Sequence, residues 1–288
     1  MKTVSALFGS SRLSDQTCLI GILIGFAVLF LSLNLKHTGM LDPITVDLLL
    51  YAGIFRLLWL KRDRLTPEAD SASTLCGLAL IGFTLFRSLA LFSFESIFLR
   101  LAPVLAFAGV ALLATGFSRL HQYWRESLIL ALMAIPIHYA QIGVQMVVPV
   151  ERVIAKLAAF LLHYAGFDVS QQGTEVVLPT GGVEVFLGCT GTDMTLVLLK
   201  LALAFAIVFP LGVLSRLGVP LAAIIIGVLL SGVRVVVMVL CVSDKTRFEF
   251  WHGPTGAQIF STVSIVLLFF LCRFTTRPRR WEVAADAS

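Results

Sequence analysis

The stretch Gly181-Gly-Val-Glu-Val-Phe-Leu-Gly-Cys189-Thr-Gly-Thr-Asp-Met-Thr195 passes from a polar, strand-like segment into a long apolar helix, with a cysteine at the junction. A thiol there lies beside the first free N–H groups of a helix, whose partial positive charge favours thiolate over thiol. Cys18, Cys76, Cys241 and Cys272 sit inside apolar runs and read as packing residues, so only Cys189 has the setting of a nucleophile. Its plainer alternative is a small apolar residue packed at the end of a span. Gly188 and Gly191 would let a substrate backbone approach, and the amides that follow Thr190 could cradle an oxyanion.

Around this junction the chain reads as a membrane scaffold. Of its 288 residues 58% are hydrophobic and only 14% charged, and the mean hydropathy is +0.95. Soluble domains average about 45–50% apolar and about 25% charged. Eight apolar spans are expected, at 17–35, 43–60, 74–94, 97–117, 127–148, 190–214, 219–242 and 257–274. The first is read as an uncleaved anchor, because Leu33-Asn-Leu-Lys36 offers no small-residue cleavage site. Glu95-Ser96 is read as a tight turn, and Pro136 as a kink in the fifth span. Residues 118–126, with Arg119, His121, Trp124 and Arg125, have the basic and aromatic character of an interface.

Between the fifth and sixth spans, residues 150–166 put Val150, Val153, Ile154, Leu157, Leu161 and Leu162 on one face, as in a helix lying in the interface plane. Residues 168–186 read as a small hairpin turning at Leu178-Pro-Thr-Gly-Gly182. The expectation is thus an all-α polytopic membrane protein with one interfacial helix and a small outer β-hairpin before the sixth span. It forms a single domain over 1–288, with its chemistry concentrated in 149–271.

Net charge is +5, but the cations are spread over short loops and a basic tail, which fits membrane topology and not nucleic-acid binding. With the N-terminus inside, inner segments hold Lys2, Arg12, Lys61, Arg62, Arg64, Arg119, Arg125, Arg216 and four tail arginines. Outer segments hold Lys36, Arg100, Arg152, Lys156, Lys245 and Arg247, half as many. Both termini are therefore expected inside, and Cys189 and His252 at the outer surface. Arg234 then lies about seven residues, or ~10 Å, below that surface, from where a guanidinium can rise toward it.

Arg234 sits in Val-Arg-Val-Val-Val, where an unpaired charge costs roughly 2.5–3.5 kcal/mol by insertion scales. It reads either as a site residue or as half of a structural ion pair. His252, beside Trp251, suits general acid–base work or interfacial anchoring. Glu249 could orient His252 but reads better as a solvated charge. Asp193 and Lys200, seven apart, share a helical face and read as partners within or between helices. Arg56 and Arg87 are expected to pair with Asp47 or reach headgroups, and His138 to be a hydrogen-bonded core residue. The cysteines show no metal spacing, and neither metal nor cofactor is expected.

The ordered set Cys189-Thr190-Gly191, then Arg234 in the next span, then His252 before the last, resembles the exosortase/archaeosortase family of integral-membrane cysteine transpeptidases. The texts Gly-Cys-Thr-Gly-Thr-Asp-Met and Phe-Trp-His-Gly-Pro-Thr-Gly-Ala-Gln-Ile-Phe are similar to its cyanobacterial branch. Two positions depart from the family: Thr190 stands where Ser is usual, and Ser231 where many relatives carry Asn. The resemblance implies Cys189, Arg234 and His252 as the active-site residues and C-terminal sorting signals of exported proteins as substrates. Such a signal has a short motif such as Pro-Glu-Pro, a membrane span and a basic tail. The lipid bilayer is the implied setting, the bacterial inner membrane the implied location, with room for a small accessory membrane protein. A transporter or lipid-binding protein using the intramembrane Arg and Lys is the alternative outside enzymology, and an enzyme that only hydrolyses is the alternative within it.

Overall fold

The computed structural model describes residues 12–38, 41–61, 69–89 and 96–276. The basic N-terminal start, the loop with Arg62, Arg64 and Pro67, the turn at Glu95 and the tail after Thr276 lie outside them, as does the side chain of Cys18. The chain divides into two compact units, Met1–Pro136 and Ile137–Ser288.

The first unit holds α1 (Arg12–Thr38), α2 (Leu41–Lys61), α3 (Ser71–Leu89), α4 (Ser96–Thr115), a 3-10 segment (Phe117–Tyr123) and α5 (Trp124–Ala134). Phe26 and Phe30 of α1 pack on Ala102 and Ala106 of α4, large against small. A buried ion pair that no local pattern announces ties α2 to α5. Lys61 Nζ lies 2.9 Å from Glu126 Oε1, whose side chain is fully buried, and donates to the Gln122 carbonyl at 2.9 Å. Asp47 accepts from Asn34 Nδ2 at 3.1 Å, and the Arg87 guanidinium lies 5.9 Å from the centre of the Phe98 ring.

The second unit runs α6 (Ile137–Val147), α7 (Val150–Tyr164), β1 (Ser170–Gln172), β2 (Glu175–Leu178), β3 (Gly181–Glu184), a 3-10 turn (Leu187–Cys189), α8 (Thr192–Val208), α9 (Val213–Leu240), α10 (Lys245–His252) and α11 (Pro254–Thr275). The expected hairpin is one of two, because β1, β2 and β3 form an antiparallel sheet in that order. Two-residue loops join them, Gly173-Thr174 with Gly173 at φ +64° and Pro179-Thr180. The first turn went unread because Gln171-Gln-Gly-Thr has no apolar alternation to mark a strand.

α7 buries Ile154, Ala155, Ala158 and Leu162 against the sheet and α9, while Val153 and Phe160 are exposed. Its buried stripe therefore runs through the two alanines and not through Val153. The small side chains bring the helices close, and Leu157 fills the space over Gly232, where an added Cβ would lie 2.6 Å from Leu157 Cδ2.

Among the described residues five helices are long and apolar enough to cross a membrane: those containing 19–36, 71–88 and 97–115, and α9 and α11. The count is six if the stretches on either side of the break at Ile135-Pro136 form one span. Two of the eight expected spans fall outside this count. α2 carries Asp47, Arg56 and Lys61, and α8 has only 17 residues. α8 ends early because Pro210 lacks an N–H and drives Phe209 to an extended conformation, ψ 141°. His138 is exposed beside Tyr139, contrary to the expectation of a core position. Residues 243–252, expected as loop, form the short helix α10, capped by Asp244, whose carboxylate accepts from Thr246 N and Arg247 N.

Candidate active site

Cys189 closes the 3-10 turn that joins β3 to α8, and the residue is 1% exposed. Its N–H donates to Phe186 O at 2.7 Å, and that of Thr190 to Leu187 O at 3.2 Å. The turn thus consumes the amides next to the thiol, and α8 begins only at Thr192. That corrects the expectation of a thiolate favoured by a helix start. Burial pushes the Cys189 thiol above its ordinary range, while the nearby Arg234 charge and a backbone hydrogen bond from Phe186 pull it down without prevailing.

Thr190 and Gly191 shape the turn. The Thr190 hydroxyl donates to Leu187 O at 2.8 Å and pairs with the Thr192 hydroxyl at 2.7 Å. Gly191 has φ +59°, a left-handed conformation costly to residues with a Cβ, and its open side is filled by the Ser231 side chain. Ser231, the position that departs from the family pattern, donates its hydroxyl to Gly227 O at 2.7 Å. Both halves of α9's contribution, Ser231 and Arg234, lie one turn apart on its buried face.

His252 comes from the last position of α10, and its Nδ1 lies 3.6 Å from Cys189 Sγ. Two rings orient the imidazole. Phe248, one turn earlier, stacks on it at 5.5 Å and 8°, and Phe186 meets it edge-on at 5.8 Å. Neither ring was read from the sequence as part of the site. The Phe248–His252 spacing of four on a helix started by Asp244 was the available signal.

Arg234 is buried, yet among the described residues it meets no carboxylate. Its Nε donates to Trp251 O at 3.4 Å and its Nη2 to His252 O at 3.0 Å. The guanidinium therefore caps the C-terminal, electronegative end of α10 and fixes the backbone that carries the imidazole. Of its five N–H donors two are used in this way.

The remaining candidates are not part of this cluster. Glu249 is exposed beside Lys245 (3.9 Å), as the solvated-charge reading has it, and Asp193 is exposed in the first turn of α8. Among the described residues no group of three or more His, Cys, Asp and Glu side chains could hold a metal ion.

A buried thiol, an imidazole and a guanidinium thus meet in one cluster of a multi-pass helical membrane protein. The profile of the family described as transmembrane exosortase (Exosortase_EpsH) matches residues 42–270, and the chain belongs to that family. No curated protein and no solved structure matches it.

Proposed function

We propose that this protein is a membrane-embedded cysteine transpeptidase that cleaves the C-terminal sorting signal of exported proteins and transfers them to a surface or membrane acceptor. The observation that carries this reading is the 3.6 Å approach of Cys189 Sγ to His252 Nδ1, across 63 residues of sequence. Burial favours the protonated thiol, so in this reading the proton leaves as the sulfur attacks. As Sγ bonds to the carbonyl carbon of the scissile amide, its proton passes to Nδ1 of the Nε2–H tautomer of His252. The C–N bond then breaks, the imidazolium returns the proton to the leaving amine, and a thioester remains on Cys189. An acceptor amine or water attacks that thioester and restores the thiol.

Arg234 serves this sequence in two ways. It holds α10, and its charge and uncommitted N–H groups favour the oxyanion on the carbonyl under attack. Placement in a bacterial inner membrane rests on the family resemblance, and the orientation, with both termini inside and the site at the outer face, on the distribution of Lys and Arg.

The test is to express the full chain with a tagged protein bearing a motif, a span and a basic tail. Cys189→Ala should abolish cleavage while the variant still inserts. Wild type should carry a hydroxylamine-sensitive acyl adduct on the peptide containing Cys189. Continued cleavage by Cys189→Ala would sink the reading. Mass spectrometry of the product's new C-terminus separates transfer, which adds a group, from hydrolysis, which leaves a free carboxylate.

A further inference from the structure

We propose that the free edge of β3 receives the polypeptide that Cys189 attacks, as an added, extended strand. This rests on the reading of the chain as a peptide-bond-cleaving enzyme. It concerns how the substrate backbone is held, which neither the thiol nor the imidazole explains.

In an antiparallel ladder, residues alternate between those that exchange hydrogen bonds with the neighbouring strand and those whose N–H and C=O point away from it. The register here is fixed: Val183 lies opposite Val176 and Gly181 opposite Leu178, and Val185 N donates to Thr174 O at 2.9 Å. Residues 181, 183 and 185 therefore spend their polar groups on β2, and those of Gly182 and Glu184 face the opposite edge. Among the described residues no further strand pairs there, since the sheet ends at β3. The side chains of Val183 and Val185 are buried against α7 and α9, whereas Gly182 and Glu184 are exposed.

The edge leads to the reactive atom. β3 runs through Val185 and Phe186 into the turn that ends at Cys189, so a chain laid along β3 continues toward the sulfur. The last part of that path is open. Gly188 is exposed, and Phe186, also exposed, stands between the strand and the His252 ring. The alternating N–H and C=O of an edge match another polypeptide backbone and nothing in a lipid or a sugar. Strand addition also holds a chain with little demand on its side chains, which leaves motif selection to the rings and charges nearer the sulfur.

The experiment uses the purified full chain in lipid nanodiscs and a synthetic peptide spanning the cleavage site of a protein it has been shown to process. Each backbone amide of the peptide is replaced in turn by an ester, which removes one N–H donor. On one side of the scissile bond, every second ester should lower kcat/KM, each by about 3–10-fold if one hydrogen bond is lost. Intervening esters should leave it unchanged. Glu184→Pro, which removes an outward N–H of β3, should cause a similar loss. Gln171→Pro, which removes the outward N–H of β1 at the opposite edge, should not.

A scan without alternation, in a peptide that is still cleaved, overturns strand addition and leaves the cysteine chemistry standing. Equal losses from both proline variants overturn it as well, since that pattern marks damage to the sheet. If Glu184→Pro instead abolishes a dimer at unchanged kcat/KM, the edge is an interface between copies. Absence of cleavage of any peptide or tagged protein removes both readings together.

Discussion

A guanidinium that donates to the carbonyls of Trp251 and His252 makes one residue responsible for two properties of the site: the position of the imidazole and the proton affinity of the sulfur. These can be separated by experiment. Iodoacetamide reacts with the thiolate, so the alkylation rate of Cys189 should still be climbing on the alkaline side of the ordinary thiol range, because burial holds the proton on. Arg234→Gln removes a charge that favours the thiolate. Its alkylation curve should move to higher pH, so that the rate at pH 7.5 falls, and cleavage should drop by roughly 10²-fold. An unchanged curve would show that the charge does not reach the sulfur and that Arg234 acts through α10 alone. The sequence pointed to Arg234 through the cost of a cation among valines, which calls for a partner. It could not supply that partner, because backbone carbonyls look the same at every residue. His252 and Cys189 were legible from their order and neighbours; the rings of Phe186 and Phe248 were not, since phenylalanine is common throughout this chain.

The elements that set the cluster in place are α7, α8 and α9, and they approach closely where glycine permits it. Gly232→Ala would put a methyl 2.6 Å from Leu157 Cδ2, so α7 would have to shift from α9 or Leu157 take a poorer rotamer. A cost of about 1–3 kcal/mol is expected for such overpacking. Thermal unfolding in detergent should show a lower midpoint for Gly232→Ala, and adding Leu157→Ala should recover part of the loss. If the double variant is as unstable as the two single losses added together, this contact is not what limits the approach. The helices themselves were readable from apolar runs. Their ends were not, because a hydropathy sum passes over the one residue that matters: Pro210 stops α8 in the middle of an otherwise apolar stretch, and Asp244 starts α10 where the composition suggests a loop. The sheet was half legible. The Pro-Thr-Gly-Gly turn announces β2 and β3, and nothing in the sequence announces β1.

At the scale of the whole chain, the proposed topology places α10 outside the cell. Thr246 is exposed at the start of that helix and takes part in the cap only through its backbone N–H. In a Cys189→Ala background, Thr246→Cys should be labelled in intact cells by a membrane-impermeant maleimide, and Arg216→Cys only after permeabilisation. The reverse pattern would invert the orientation derived from the lysines and arginines. Membership of the exosortase family extends over 42–270, which includes most of the first unit. That unit remained the least legible part of the sequence. Its ion pair joins Lys61 to Glu126 across a long loop of chain, whereas the sequence places Lys61 in an inner segment and residue 126 at the end of an interfacial stretch. Breaking such a pair on one side leaves a charge stranded, whereas no periodicity or motif records that the two ends meet.

The burial of Cys189 bears on how long the proposed nucleophile lasts between substrates. Sulfur is oxidised to sulfenic and higher acids in proportion to its anionic character and its accessibility, and here burial favours the neutral thiol and leaves the residue 1% exposed. Peroxide and stray disulfides find almost nothing to attack. On the proposed topology, which puts the site beyond the reach of cytoplasmic reductants, such burial would keep the sulfur intact until a substrate chain arrives.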